Sequence, residues 1–173
     1  MPLAALVLFY APHTAWRWSS TLGLLLILCG EIARIWAVRH IGSVSRTRGV
    51  RIGRLVTTGP YAWTRNPLYI GNGLLWTGFV IFSGVSWMLP FVWMVFAVQQ
   101  AAIVSWEESL LLHHYPIEYR HYAERVPRWW PTGPGHRETA VRWAWSHVLF
   151  SERGTLIAIL IMTMALVGRP LLG

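Results

Sequence analysis

The chain has no lysine and no aspartate, and it has a single cysteine, Cys29. One cysteine excludes an intrachain disulfide and any Cys-rich metal site. Charge is scarce overall: 13% of the 173 residues are charged and 54% are hydrophobic. With a mean hydropathy of +0.41, this composition excludes an ordinary soluble domain and describes one domain's worth of integral membrane protein. No G-x-G-x-x-G, P-loop or H-E-x-x-H occurs, so the usual soluble dinucleotide, phosphate and zinc signatures are missing. The N-terminus has no basic start and no small-residue cleavage site, so no cleavable signal is expected. The histidines are scattered, and no carboxylate or cysteine completes a site around His113, His114 and His121; no metal is expected.

The charge that is present is mostly positive, with a net value of +8 carried entirely by arginine. These arginines lie between apolar segments, which favours the positive-inside rule over nucleic-acid binding. The fold class expected is an all-α integral membrane protein of about four transmembrane helices, with a helical hairpin and cytoplasmic amphipathic helices. Residues 2–11 form a short apolar run, too short to span. Residues 18–38 form the first full span, about 31 Å long as a helix. Glu31 and Arg34 fall inside it at i,i+3, where they can pair on one face. An intramembrane ionisable pair points to function, or else to a structural pair near the interface.

Residues 39–66 form a basic loop with six arginines and no acid, which places it on the cytoplasmic side. Residues 67–83 and a second helix entered through Pro90 form an apolar hairpin with an uncharged tip at Ser83–Ser86. Gly71, Gly73 and Gly78 are small positions that allow close helix contact. Tyr115, Tyr119 and Tyr122 recur on one helix face. Residues 137–150 read as an amphipathic interfacial helix, and residues 155–172 as a last span beyond the core. The Arg-rich stretch 107–153 is also expected in the cytoplasm, with both termini outside.

The stretch Gly59 to Gly71, GPYAWTRNPLYIG, lies where the basic loop meets the hairpin. Gly59-Pro60 is a turn signal. Pro67 biases Asn66 away from helical geometry, so a helix starts near Pro67 and Arg65 lies just outside it. A free arginine beside aromatic rings at a helix start suits a ligand with a carboxylate and a flat ring. The alternative is an interfacial anchor, with an aromatic belt and a snorkelling arginine.

GPYAWTRNPLYIG, followed after one hairpin by EESLLLHHYPIEYRHYAERVPRWWP, resembles the isoprenylcysteine carboxyl methyltransferases and their relatives, the phospholipid methyltransferases. The resemblance covers residues 53–131, a cofactor-binding core within a single domain over 1–173. It implies methyl transfer from S-adenosylmethionine, at the cytoplasmic face of a cell membrane, to a lipophilic molecule or lipid drawn from the bilayer. It implies no nucleic acid and no metal. It carries Leu55, Val56, Tyr61, Asn66, Pro67, Leu68, Tyr69 and Glu107 over as cofactor contacts. Arg65 is expected to meet or organise a carboxylate, and Glu108 or Gln100 to orient the nucleophile. Asn66 stands where many members have His, which excludes a titrating role there. Gly53 stands where the prenylcysteine enzymes have His. Ile103 stands where they have a substrate-engaging Arg, which argues against a carboxylate substrate.

Two other classes share these features: a membrane reductase using a reduced nicotinamide, and a non-catalytic membrane protein. Titration with adenosylhomocysteine and with a dinucleotide separates them. The arginine pattern also makes a topological prediction. Reagents that label cysteine from outside intact cells should miss Arg48→Cys and Arg137→Cys and reach Ser86→Cys. The reverse pattern would contradict the orientation.

Overall fold

A computed structural model describes residues 18–42, 54–131 and 142–168. The apolar run 2–11, Gly53, Arg48 and residues 137–141 lie outside them. Five α-helices and no strand occur among the described residues. They are α1 (Trp18–Ile41), α2 (Pro67–Phe82), α3 (Leu89–His114), α4 (Pro116–Arg125) and α5 (Trp145–Gly168). A 3₁₀ turn, Gly59–Ala62, precedes α2, and another, Ser86–Met88, precedes α3. Three helical stretches are long and apolar enough to cross a membrane: Trp18–Ile41, Ser86–His114 and Trp145–Gly168. The fourth apolar helix, α2, has 16 residues, about 24 Å, and so falls short of the roughly 30 Å hydrocarbon thickness.

The helix ends follow local chemistry. Pro67 and Pro90 stand in the first turns of α2 and α3, where a missing amide hydrogen costs nothing. Helix α2 ends one residue before the expected boundary, at Ser83-Gly84, where Gly84 adopts φ +78°. Helix α1 continues through Arg39 and His40, so the basic loop begins later than its charge suggests.

The tightest packing is between α1 and α2, not within the hairpin. Gly23 and Gly30 of α1 face Gly78 and Gly71 of α2, and the two backbones meet. A Cβ at Gly23 would lie 2.5 Å from the Phe82 amide nitrogen, and one at Gly30 would lie 2.8 Å from the Gly71 carbonyl. In lipid, where apolar contact alone drives no association, this close approach supplies van der Waals contact between helices. Gly73 instead faces Trp93 and Phe96 of α3.

The C-terminal segment corrects the expected layout. The interfacial helix over 137–150 and the last span over 155–172 are not separate elements. Trp145 to Gly168 is one helix, and Glu152, assigned from the sequence to a polar loop, is buried inside it. The stripe Val148, Glu152, Thr155, Ile159, Met162 and Leu166 faces the bundle: Ile159 and Leu166 pack on Ile27, Leu75 and Phe82, while Met162 packs on Val80, Met88 and Val92. The opposite face, with Ile157, Leu160, Ile161 and Met164, is exposed as a lipid-facing surface would be.

The α1–α2 seam makes a prediction. Gly23→Ala and Gly30→Ala should each destabilise the protein by about 1–3 kcal/mol, measured by thermal melts in one detergent. Gly154→Ala, where an added Cβ meets nothing within 4 Å, should melt at or above the parent temperature. Equal melts for all three would contradict the backbone contact.

Candidate functional site

The sequence around Pro67 dictates the first wall of the site. Thr58 enters in extended geometry, Gly59 turns at φ +63°, and Pro60 fixes the start of the 3₁₀ turn. The His40 ring of α1 lies directly against Gly59, so no side chain fits there. His40 Nδ1 is 2.9 Å from the Trp36 carbonyl. From the other side, the buried Tyr122 phenol donates to the Tyr61 carbonyl at 2.7 Å. Tyr61 is thereby buried at a fixed position.

The second wall is the segment after the hairpin, held to the first through main-chain and side-chain bonds. The Arg65 amide donates to the Pro127 carbonyl at 2.9 Å. Asn66 Nδ2 and Thr64 Oγ1 both donate to the Arg128 carbonyl at 3.1 Å. Asn66 therefore spends its amide tying the two motifs together rather than capping α2. Leu55 packs on the cluster of Tyr119, Tyr122 and Val126. Helix α4 turns these tyrosines inward and leaves Glu118, Arg120, His121 and Arg125 in solvent, as the i,i+4,i+7 tyrosine pattern predicts.

Charge completes the join. Arg65 is not free, as the sequence suggested. Its Nη1 lies 3.2 Å from Glu108 and 3.3 Å from the Tyr119 hydroxyl. The Glu108 carboxylate also takes the Arg128 guanidinium, with Nε at 3.1 Å. Glu108 thus sits between two arginines, one from each motif. Arg65 Nε is buried and has no hydrogen-bond partner among the described residues. Burial pushes the Tyr119 phenol up, and it does the same to Tyr122. Both tyrosines therefore remain protonated donors at physiological pH. Bonding to Glu108 raises Arg128 further, so it stays charged.

Next to this clasp, the Tyr69 phenol of α2 donates to Glu107 Oε1 of α3 at 2.8 Å. The hairpin thus brings Tyr69 to Glu107, while Tyr61 and Asn66 meet Tyr122 and the Arg128 carbonyl further along the same stretch of chain, and Pro67 is buried at the start of α2. Leu68 is half-buried on α2, and Val56 is half-buried in the extended lead-in. The surroundings combine an aromatic wall, a half-buried carboxylate and an arginine with a spare donor. Those groups suit a ligand carrying ribose hydroxyls, a cationic centre and a carboxylate.

The sequence model of the phospholipid methyltransferase family matches residues 18–118, more than half of the chain. The chain belongs to that family. Among curated proteins, the nickel-cobalt-cadmium resistance protein NccN of Alcaligenes xylosoxydans xylosoxydans is 29% identical over 132 residues, covering 73% of this chain and 59% of that protein. The cobalt-zinc-cadmium resistance protein CzcN of Cupriavidus metallidurans is 32% identical over 128 residues, covering 69% and 55%. Protein-S-isoprenylcysteine O-methyltransferase B of Arabidopsis thaliana is 35% identical over 137 residues, covering 72% and 65%. The chain thus spans a little over half the length of the first two. Among the described residues, no group of three or more His, Cys, Asp or Glu is placed to hold a metal ion.

Sequence reasoning missed Arg34's wider network. Glu31 and Arg34 do pair, at 3.3 Å, but Arg34 also reaches Glu152, Thr155 and Asn72. The regular spacing of Val148, Glu152, Thr155 and Ile159 was the readable signal, since it places the acid on the buried stripe.

The clasp makes a prediction. Glu108→Ala leaves Arg65 without its carboxylate, so amide hydrogen exchange at Arg65 should accelerate roughly tenfold or more, matching about 1.5–3 kcal/mol for a charged hydrogen bond. Unchanged protection at that amide would show that Glu108 does not hold the two segments.

Proposed function

We propose that this family member is an S-adenosylmethionine-dependent methyltransferase, acting at the cytoplasmic membrane face on a lipophilic acceptor that enters from the bilayer. The observation that supports it most is the bond from Tyr69 to Glu107 across the hairpin, beside the bonds that tie Tyr61 to Tyr122 and Asn66 to the Arg128 carbonyl. The protein-S-isoprenylcysteine O-methyltransferases among its relatives, named for methyl transfer, support the same reading.

The residues present fit such a cofactor. Arg65 Nε, a buried donor without a partner among the described residues, would take its carboxylate. Glu107, oriented by Tyr69, would accept hydroxyl or ammonium hydrogens. The aromatic rings of Tyr61 and Tyr69 would face its adenine and its cationic sulfur. When bound, the cofactor supplies a methyl group on a sulfonium, and displacement in line by a nucleophile needs orientation more than a strong acid or base.

The chain's own residues would supply that orientation. Glu108 is occupied by Arg65 and Arg128, so in this reading it sets the arginine rather than touching the nucleophile. Gln100 then becomes the orienting group. It is buried on α3, two turns before Glu107 and on the same side. Its Oε1 has no hydrogen-bond partner among the described residues, and an orphaned acceptor costs about 1–3 kcal/mol. An acceptor's N–H or O–H would satisfy it.

Calorimetric titration with adenosylhomocysteine tests this reading. The parent protein should bind, and Glu107→Gln and Arg65→Ala should each weaken binding by about tenfold to a hundredfold. Gln100→Leu should leave that binding unchanged while lowering methyl transfer into lipid from labelled adenosylmethionine. Parent-like binding by both charge variants would refute the pocket and return Arg65 to the role of an anchor.

A further inference from the structure

The buried ionic cluster around Arg34 is not used by the mechanism above. Arg34 Nη2 donates to Glu152 Oε2 at 2.8 Å and to Thr155 Oγ1 at 3.1 Å, both on α5. Arg34 Nε faces Glu31 at 3.3 Å on its own helix. Its Nη1 donates to Asn72 Oδ1 on α2. Glu152 has no solvent exposure at all. It also lies beyond residues 18–118, the part of the chain the family model matches.

The path of Arg34 gives the cluster a consequence for the site. Its stem crosses α2 at Gly71, where a Cβ would lie 2.6 Å from Arg34 Cγ. Gly71 closes the GPYAWTRNPLYIG motif, two residues after Tyr69 and one before Asn72. Arg34 therefore grips α2 beside the residue that orients Glu107. A buried ion pair is weak evidence for stability, because desolvation cancels much of the attraction; fixing a unique register is its best-attested use. Helix α5 has apolar anchors of its own in Ile159, Met162 and Leu166. The charges are not needed merely to dock it.

We propose that Glu152 is a positioning residue of the candidate site. Acting through Arg34, it fixes the rotation of α2 and hence the placement of Tyr69 against Glu107, which makes the C-terminal helix a working part of the site. This rests on the cofactor reading above only for its effect on binding; the effect on Tyr69 is independent of it.

The test uses the full chain in nanodiscs, labelled with 3-fluorotyrosine, with the Tyr69 fluorine resonance assigned by its loss in Tyr69→Phe. Glu152→Gln leaves Arg34 short of a carboxylate and can fail to fold. The triple variant Glu31→Gln/Arg34→Met/Glu152→Leu removes the three charges together and should melt at or above the parent temperature. In it the Tyr69 resonance should move or broaden, and adenosylhomocysteine binding should weaken about tenfold, the scale of one impaired hydrogen bond to a charged group. Glu152→Asp should lie closer to the parent than Glu152→Gln in both readouts. An unmoved Tyr69 resonance in the stable triple variant overturns the proposal, as does a moved one with unchanged binding. A parent that does not bind adenosylhomocysteine removes the cofactor reading instead, and the fluorine resonance still decides whether Glu152 sets Tyr69.

Discussion

Two arginines share one carboxylate where the hairpin closes, and the rest of the site depends on that join. Glu108 accepts Arg65 from the stretch before α2 and Arg128 from the stretch after α4. Side chains on two separately moving segments would not hold Tyr69 and Glu107 at hydrogen-bond distance. The main-chain bond from Arg65 to Pro127 and the paired donors to the Arg128 carbonyl fix the same two segments. Several bonds of ordinary strength, each about 0.5–1.5 kcal/mol net, become mutually supporting because each one orders the partners of the next.

This join lies at one end of a helix bundle whose other constraint is steric. Where α1 and α2 cross, glycines on both helices let backbone touch backbone. The crossing sets the position of α2 relative to α1, and α2 carries Tyr69 at its start. The C-terminal part of α1 then does two jobs at the same end: His40 fills the space over Gly59, and Trp36 meets Trp63 edge-on with ring centroids 5.4 Å apart. Arg39 lies over the Trp145 ring at 4.1 Å, which brings the start of α5 to this end as well. The C-terminal end of α1, the lead-in to α2 and the start of α5 thus meet at this end.

Much of this was legible in the residues. Pro67 and Pro90 marked helix starts because proline has few places to stand. The tyrosine spacing in α4 gave its buried face, and the two motifs flanking one hairpin implied that they meet. Other features were hidden for physical reasons. Arg65 read as a free cation because its partner, Glu108, is distant in sequence, and pairing across a hairpin leaves no local pattern. The continuity of α5 was obscured because His147, Glu152 and Arg153 lower the hydropathy of its first half. Charge there suggested solvent, whereas Glu152 is neutralised by Arg34 from another helix. The glycine seam was half legible: Gly71 and Gly78 announced close contact, but their partner is α1 rather than α3.

The central claim is that the segment before the hairpin and the segment after it form a single cofactor pocket. Photo-crosslinking the purified protein with an azido-adenosine analogue of adenosylmethionine, then mapping the modified peptides, tests it most directly. The account predicts modification in both the 55–69 and the 107–131 segments, suppressed together by excess adenosylhomocysteine. Modification confined to one segment, or unaffected by the competitor, would contradict it.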